Sequence, residues 1–124
     1  AISVDCAPDC YWYIDRELVK GVLVNALNNA YHYTTDKIHV VARVKDKQLE
    51  LRVEDNGQGY PGKMLTGDDV ANPKGVNFET GSTGLGFYFC SQVAQLHKNG
   101  GRRGRLMIEN GGTLGGGCFV VQLP

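Results

Sequence analysis

The sequence carries no net charge: thirteen basic residues balance thirteen acidic ones over 124 positions. A general nucleic-acid or membrane-surface binder needs a net basic field, so neither partner is expected. No apolar run approaches the roughly 20 residues of a spanning helix, and no secretory leader is expected. Prolines number only four and glycine shows no three-residue period, which excludes a collagen-like chain. The first 56 residues hold a single glycine, Gly21. Cysteine is sparse too: Cys6, Cys10, Cys90 and Cys118. Cys6 and Cys10 have CxxxC spacing, but no second cluster with a nearby His completes a zinc site. Buried, reduced thiols in a cytosolic protein are the expectation. The chain begins at Ala1 without a Met, so a domain cut from something longer is expected.

What is present in excess is glycine, 17 residues in all, sixteen of them between Gly57 and Gly117. A uniformly flexible linker is excluded, because 42% of the residues are apolar and fall in structured runs. The second half must need the backbone freedom or close approach that only glycine gives. The length fits one domain, residues 1–124, with a real core.

Residues 2–4 and 11–14 read as short strands around a Cys/Pro/Asp turn. Asp15 is a good helix N-cap. Residues 15–33 carry Leu18, Val19, Val22, Leu23, Ala26, Leu27 and Ala30 near helical period. Strands at 38–44 and 48–54 flank the short turn Lys45-Asp46-Lys47. The second strand alternates, with Leu49, Leu51 and Val53 on one face and Glu50, Arg52 and Glu54 on the other. Residues 56–83 keep no period, and a loop that long in a compact domain is functional or disordered. A second helix fits 84–98, with Leu85, Phe89, Val93 and Leu96 along one side. A basic turn at 98–105, carrying Lys98, Arg102, Arg103 and Arg105, reads as a solvated loop. Strands at 106–109 and 118–123 close the chain around a glycine-rich turn at 110–117. The mixture lacks a regular βαβ rhythm. It predicts an α+β fold, a two-layer α/β sandwich with helices on one face of a mixed, mostly antiparallel sheet.

Three constellations bear on chemistry. Asn25 and Asn29 are four apart on the first helix, followed by His32 and Tyr33, and Gly21 extends that face one turn back. Asn is a poor helix-interior residue, so the pair points to a ligand or metal, or else to a solvent-facing stripe. Next comes Glu54-Asp55-Asn56-Gly57-Gln58-Gly59-Tyr60, directly after the alternating strand. In isolation it reads first as an Asx-type turn, and second as a carboxylate poised for a ligand amino group. Third, Gly81-Ser82-Thr83-Gly84-Leu85-Gly86-Phe87 opens the second helix. Glycines there free backbone N–H groups to face an anion. The run is neither a Walker A loop nor a dinucleotide fingerprint.

The order and spacing are more specific than any one element. NxxxNAxxYT, then DNGxG after a β pair, then a long irregular loop, then STGLGF opening a helix, resembles the ATP-binding domain of sensor histidine kinases. These belong to the GHKL superfamily, with gyrase, mismatch-repair and chaperone ATPases. The resemblance spans nearly the whole chain and includes residues 111–119, similar to the family's last glycine box. It implies a Bergerat-type ATP-binding fold.

By that resemblance Asn29 holds a Mg²⁺ that bridges the ATP phosphates, and Asn25 supports the metal or phosphates. Asp55 accepts from the adenine amino group, Gly57 and Gly59 let the chain pass the base, and Tyr33 packs on the ring. The run Thr83, Gly84, Leu85 and Gly86 joins the nucleotide site, with Gly84 and Gly86 offering N–H groups to the phosphates. Residues from about 60 to 83 are the lid, and Phe78 is a remnant of its aromatic box. Hydrolysing relatives carry a Glu as general base where this chain has Asn25, so phosphoryl transfer to an imidazole is implied rather than hydrolysis. His32 stands where many kinases have Lys or Arg, and the lid's only cations are Lys63 and Lys74. A neutral imidazole is the weaker phosphate clamp. Phe87 replaces a Leu, a change expected to affect packing alone. None of His32, His39 and His97 is followed by an acidic residue, as a phosphorylated kinase His typically is.

The implied whole is a cytoplasmic, monomeric catalytic domain. It takes ATP and Mg²⁺ and serves a separate His-bearing dimerisation domain and, indirectly, a response regulator. It should not phosphorylate itself efficiently. A degenerate nucleotide-sensing domain and an anti-sigma-type serine kinase stand as alternatives.

Overall fold

Asp15 starts the first helix in the computed structural model, which describes residues 2–33, 36–60 and 84–124. Its Oδ1 accepts the Leu18 N–H at 3.1 Å, and its carbonyl accepts from Val19 at 2.9 Å. The side-chain bond satisfies an amide that the first turn otherwise leaves unpaired, and the carbonyl bond is the first of the helix ladder. Helix α1 (Arg16–Tyr33) then buries Val19, Val22, Ala26 and Ala30 along one stripe, with Leu18, Leu23 and Leu27 packed at its margins.

Five of the seven strands among the described residues are longer than two residues: β1 (Ile2–Cys6), β2 (Ile38–Lys45), β3 (Gln48–Asp55), β6 (Arg105–Asn110) and β7 (Gly117–Leu123). They form one sheet in the order β1-β2-β3-β7-β6, with β1 parallel to β2 and every other pair antiparallel. The β2–β3 turn places Asp46 and Lys47 at φ 53° and 61°, the left-handed geometry of a tight hairpin turn. Helix α2 (Gly84–Leu96) lies beside α1 on the same face of the sheet. The core forms between them, from Leu49, Leu51 and Val53 of β3, Phe119, Val121 and Leu123 of β7, and Leu106 and Ile108 of β6. The mixed sheet with its helices is the two-layer sandwich that the sequence predicts.

Four details differ from the sequence expectation. Residues 11–14 form no strand. The alternation there is real, with Tyr11 and Tyr13 exposed, but Trp12 turns inward and its indole Nε1 donates to the Pro124 carbonyl at 3.2 Å. One side-chain anchor takes the place of a ladder. Second, α2 ends at Leu96 and buries Phe87, Cys90, Val93 and Ala94, leaving Phe89 and Leu96 exposed. Third, the basic turn contains a small ribbon, β4 (Lys98–Asn99) against β5 (Arg102–Arg103), reversed at Gly100 with φ 59°. Fourth, Cys90 and Cys118 are buried, but Cys6 is exposed and Cys10 only partly covered.

The opposite face of the sheet is not simply solvated. Glu50 and Glu54 are 4% and 3% exposed. Arg43 donates to Glu50 through Nε and Nη2 at 2.9 and 2.7 Å, and Arg52 lies between Glu50 and Glu54 at 3.5 and 3.4 Å. Burial alone would raise the Glu50 carboxyl, but Arg43, then Gln122 and Arg52, hold it below its usual value.

Gly104 joins the ribbon to β6 in a space with no room for a methyl group. A Cβ there would strike the Ala94 carbonyl oxygen and lie 2.9 Å from that of Gln122. Its N–H already donates to His97 at 2.9 Å. Both obstacles are backbone, so Gly104→Ala is expected to cost about 2–3 kcal/mol of stability. The midpoint of urea unfolding reads this directly.

Candidate functional site

Three elements end together at one end of the sandwich. Helices α1 and α2 run antiparallel. The Asp15 N–H, before α1, donates to His97 Nε2, just past α2, at 2.9 Å. Nε2 accepts, so Nδ1 carries the proton and donates to the Val93 carbonyl at 2.8 Å. Further along, Gly21 faces Phe89 so closely that a Cβ would lie 3.2 Å from its ring. The second half of α1, with Asn25 and Asn29, therefore runs toward the first turn of α2, where Gly84 and Gly86 lie. The end of β3 joins them through Asn56. Asn56 Oδ1 accepts the N–H groups of Asp36 and Lys37 at 3.2 and 3.1 Å, and its Nδ2 donates to the Asp36 carboxylate. The chain just after α1 is thus stapled to the residue after Asp55.

Asp55 is the last residue of β3 and is 1% exposed. Its Oδ1 accepts from Gly57 N–H at 2.9 Å and Gly117 N–H at 3.1 Å. Its Oδ2 is buried and has no hydrogen-bond partner among the described residues. Leaving a buried carboxylate oxygen without a donor costs on the order of 1–3 kcal/mol or more. One oxygen is fixed by the fold, and the other has no donor among the described residues.

Glycines build the cradle. A Cβ on Gly116 would lie 2.6 Å from Asp55 Oδ1 and 2.7 Å from the Gly57 nitrogen. One on Gly117 would lie 2.7 Å from the Tyr60 ring and 3.0 Å from Asp55 Oδ2. Gly59 has φ 85°, and a Cβ there would lie 2.6 Å from Asn110 Oδ1. Asn110 holds the backbone of Tyr60 at both groups, accepting its N–H at 2.7 Å and donating to its carbonyl at 3.0 Å. The Tyr60 ring meets Phe87 edge-on at 6.2 Å, and Phe87 stacks on Phe119 at 6.3 Å. This row of rings ties the exit of β3 to α2 and β7.

The sequence-predicted residues fare as follows. Asn25 and Asn29 are both half-buried on α1, and Asn25 Nδ2 donates back to the Gly21 carbonyl at 2.9 Å. His32 is exposed in the last turn of α1. Gly84 and Gly86 lie in the first turn of α2. Gly57 supports the carboxylate directly. Tyr60 is buried, its backbone held by Asn110 and its ring against Phe87. Residues 61–83, where the lid is expected, with Lys63, Lys74, Phe78 and Thr83, lie outside the described residues, as do the side chains of Tyr33 and Leu85.

Residues 14–124 match the family described as histidine kinase-, DNA gyrase B- and HSP90-like ATPase. The chain belongs to this family. Within the GHKL group it is an ATP-binding domain of the sensor histidine kinase type. Sensor protein KdpD of Escherichia coli K12 is 31% identical over a match covering 90% of this chain and 12% of KdpD. The alginate biosynthesis sensor protein KinB of Pseudomonas aeruginosa is 34% identical, covering 72% of this chain and 15% of KinB. The chain thus spans a small fraction of these relatives. Among solved structures, the ATP binding domain of PrrB from Mycobacterium tuberculosis superposes with a TM-score of 0.73 at 27% identity, covering 99% of this chain and 78% of that one.

In this GHKL domain Asn110 escapes sequence reasoning, while Asn56, Gly116 and Gly117 fall within runs it singles out but receive no role of their own there. The two glycines read as part of a plain turn. Their signal was a run of three glycines directly before a strand, where a turn alone needs no more than one or two.

Proposed function

We propose that the domain binds ATP with the adenine amino group donating to Asp55 Oδ2, and passes the γ-phosphate to a histidine on a separate dimerisation domain of the same kinase. The observation that carries this reading is the buried, unpartnered Asp55 oxygen at the end of β3. A carboxylate there accepts from the adenine 6-amino group and opposes the 6-oxo group of guanine. Gly84 and Gly86, in the first turn of α2, offer backbone N–H groups and the positive end of the helix dipole to the phosphates.

Among the described residues no three His, Cys, Asp or Glu side chains converge as a metal cage. An Asn amide oxygen suits a hard ion that draws most of its ligands from phosphate and water. Asn29 is the residue that would hold Mg²⁺, which when bound supplies neutralisation of phosphate charge. Asn25 is neutral and takes no proton at pH 7, so the domain offers no general base there for water. An imidazole acceptor is itself nucleophilic and needs less help. The chain's contribution is positioning. The phosphorylated histidine would then serve a response regulator, with this domain monomeric and on the cytoplasmic side.

Calorimetry with ATP and GTP, with and without Mg²⁺, tests the binding. ATP should bind, GTP should not compete, and Asn29→Asp should weaken the Mg²⁺-dependent part of ATP affinity about tenfold. Adding a His-bearing helical dimerisation domain tests the transfer. Acid-labile phosphate on that domain is the expected product. Tight ATP binding with no transfer would mark a nucleotide-sensing domain, and acid-stable phosphate a serine kinase.

A further inference from the structure

Two of the four cysteines sit together, away from the nucleotide site. Cys6 closes β1 and is exposed, and Cys10 is partly covered. Between them the chain makes a tight turn, in which the Cys10 N–H donates to the Ala7 carbonyl at 3.1 Å. Pro8 suits the second position of such a turn, where its ring pre-sets φ. The Cys6 thiol donates to the same Ala7 carbonyl at 3.6 Å, so one carbonyl gathers the Cys6 side chain and the Cys10 backbone on the inside of the turn. The other two thiols are different. Cys90 and Cys118 are fully buried, and burial pushes both up to about 12. They are inert at neutral pH.

We propose that Cys6 and Cys10 form a reversible dithiol–disulfide pair that exchanges with low-molecular-weight disulfides. The Cys6 thiolate attacks one sulfur of the small disulfide. A Cys6–S bond forms, the small S–S bond breaks, and one small thiol leaves. Cys10 then loses its proton and attacks Cys6 Sγ, which expels the second small thiol and closes the Cys6–Cys10 bond. The protein dithiol loses two electrons and two protons, and the small disulfide gains them. The roles follow from the surroundings. Cys6 is the more exposed thiol. Partial burial, then Cys6 itself and Asp9, push the Cys10 thiol up, so Cys10 suits the resolving step.

The register places the pair far from the adenine end. Cys6 pairs with Ala42 of β2, whereas Asp55 pairs with Ile38, at the other end of that strand. Closing the ring joins the end of an edge strand to the stretch that carries Trp12 and leads into α1. Nucleotide affinity is expected to stay unchanged.

The domain is held in stepped ratios of reduced to oxidised glutathione, its free thiols are alkylated, and the tryptic peptide ending at Arg16, which contains both cysteines, is weighed. The expected product is that peptide two hydrogens lighter and unalkylated, with Cys90 and Cys118 alkylated after unfolding. Cys10→Ser should stop at glutathione bound to Cys6, and Cys6→Ser should react about tenfold more slowly. Stable glutathione adducts on both cysteines of the wild type, cross-links between two copies, or no reaction would each overturn the proposal.

Discussion

Asp55→Asn is expected to lower adenine-nucleotide affinity by about 100-fold while leaving the domain folded. The reason lies in the division of labour between the two carboxylate oxygens. Oδ1 is committed to the N–H groups of Gly57 and Gly117. Oδ2 is buried without a partner among the described residues. An Asn side chain must keep its oxygen toward the two N–H groups, since its NH₂ in that place would meet two donors. The NH₂ then occupies the Oδ2 position and faces the adenine amino group, donor against donor. A base with an acceptor at that edge, as guanine has, meets no such conflict. The preference for ATP over GTP should therefore collapse along with the affinity. Calorimetric titration of both nucleotides reads this, with thermal unfolding as the check on the fold. An Asp55→Asn variant that still selected ATP would remove Asp55 from the adenine contact.

The elements with one dominant interaction were legible in the sequence. The α1 stripe of Val19, Val22, Ala26 and Ala30 repeats at helical spacing, and Asp15 is the kind of residue that caps a helix. The β2–β3 pair alternates as a half-buried hairpin does. Sequence pattern failed where the deciding contact is distant. Residues 11–14 alternate like a strand, but a strand needs a partner edge, and Trp12 finds the Pro124 carbonyl instead. In α2 three aromatics stand in a row, Phe87, Tyr88 and Phe89, so the helical period cannot choose the buried face. Tertiary packing chooses Phe87. The burial of Glu50 and Glu54 leaves no local signal, because their partners, Arg43 and Arg52, become neighbours only across or along the folded sheet.

The candidate site shows the same division. Asn25, Asn29, Asp55 and the helix-opening glycines stood out by type and spacing. That Asp55 has one tied and one untied oxygen was invisible, because the Asp-Asn-Gly run is also ordinary turn chemistry. The role of the last glycines was invisible too. It consists of an absent methyl group pressed against a carboxylate some sixty residues earlier, and no local pattern encodes that.

Those last glycines supply the second large effect, and a test with its own control. Gly116→Ala is expected to destabilise the domain by about 2–3 kcal/mol and to reduce nucleotide affinity about 100-fold in the fraction that stays folded. The new methyl would lie 2.6 Å from Asp55 Oδ1 and 2.7 Å from the Gly57 nitrogen, and it would also strike the Asp55 carbonyl oxygen. None of these can yield cheaply. Gly116 N–H donates to that carbonyl at 3.0 Å, and Gly116 itself accepts from Gly111 at 2.8 Å. Relief requires parting Asp55 Oδ1 from the Gly57 N–H, which releases the carboxylate from the orientation that sets Oδ2 apart from Oδ1. Gly115 is the control. It stands one residue away in the same loop, its Cβ would face open space, and its only demand is φ 83°. Gly115→Ala should therefore cost only the left-handed strain, about 1 kcal/mol, and leave nucleotide affinity intact. Equal losses of affinity in the two variants would show that the loop acts through its flexibility. A loss confined to Gly116→Ala would show that it acts by pressing on Asp55.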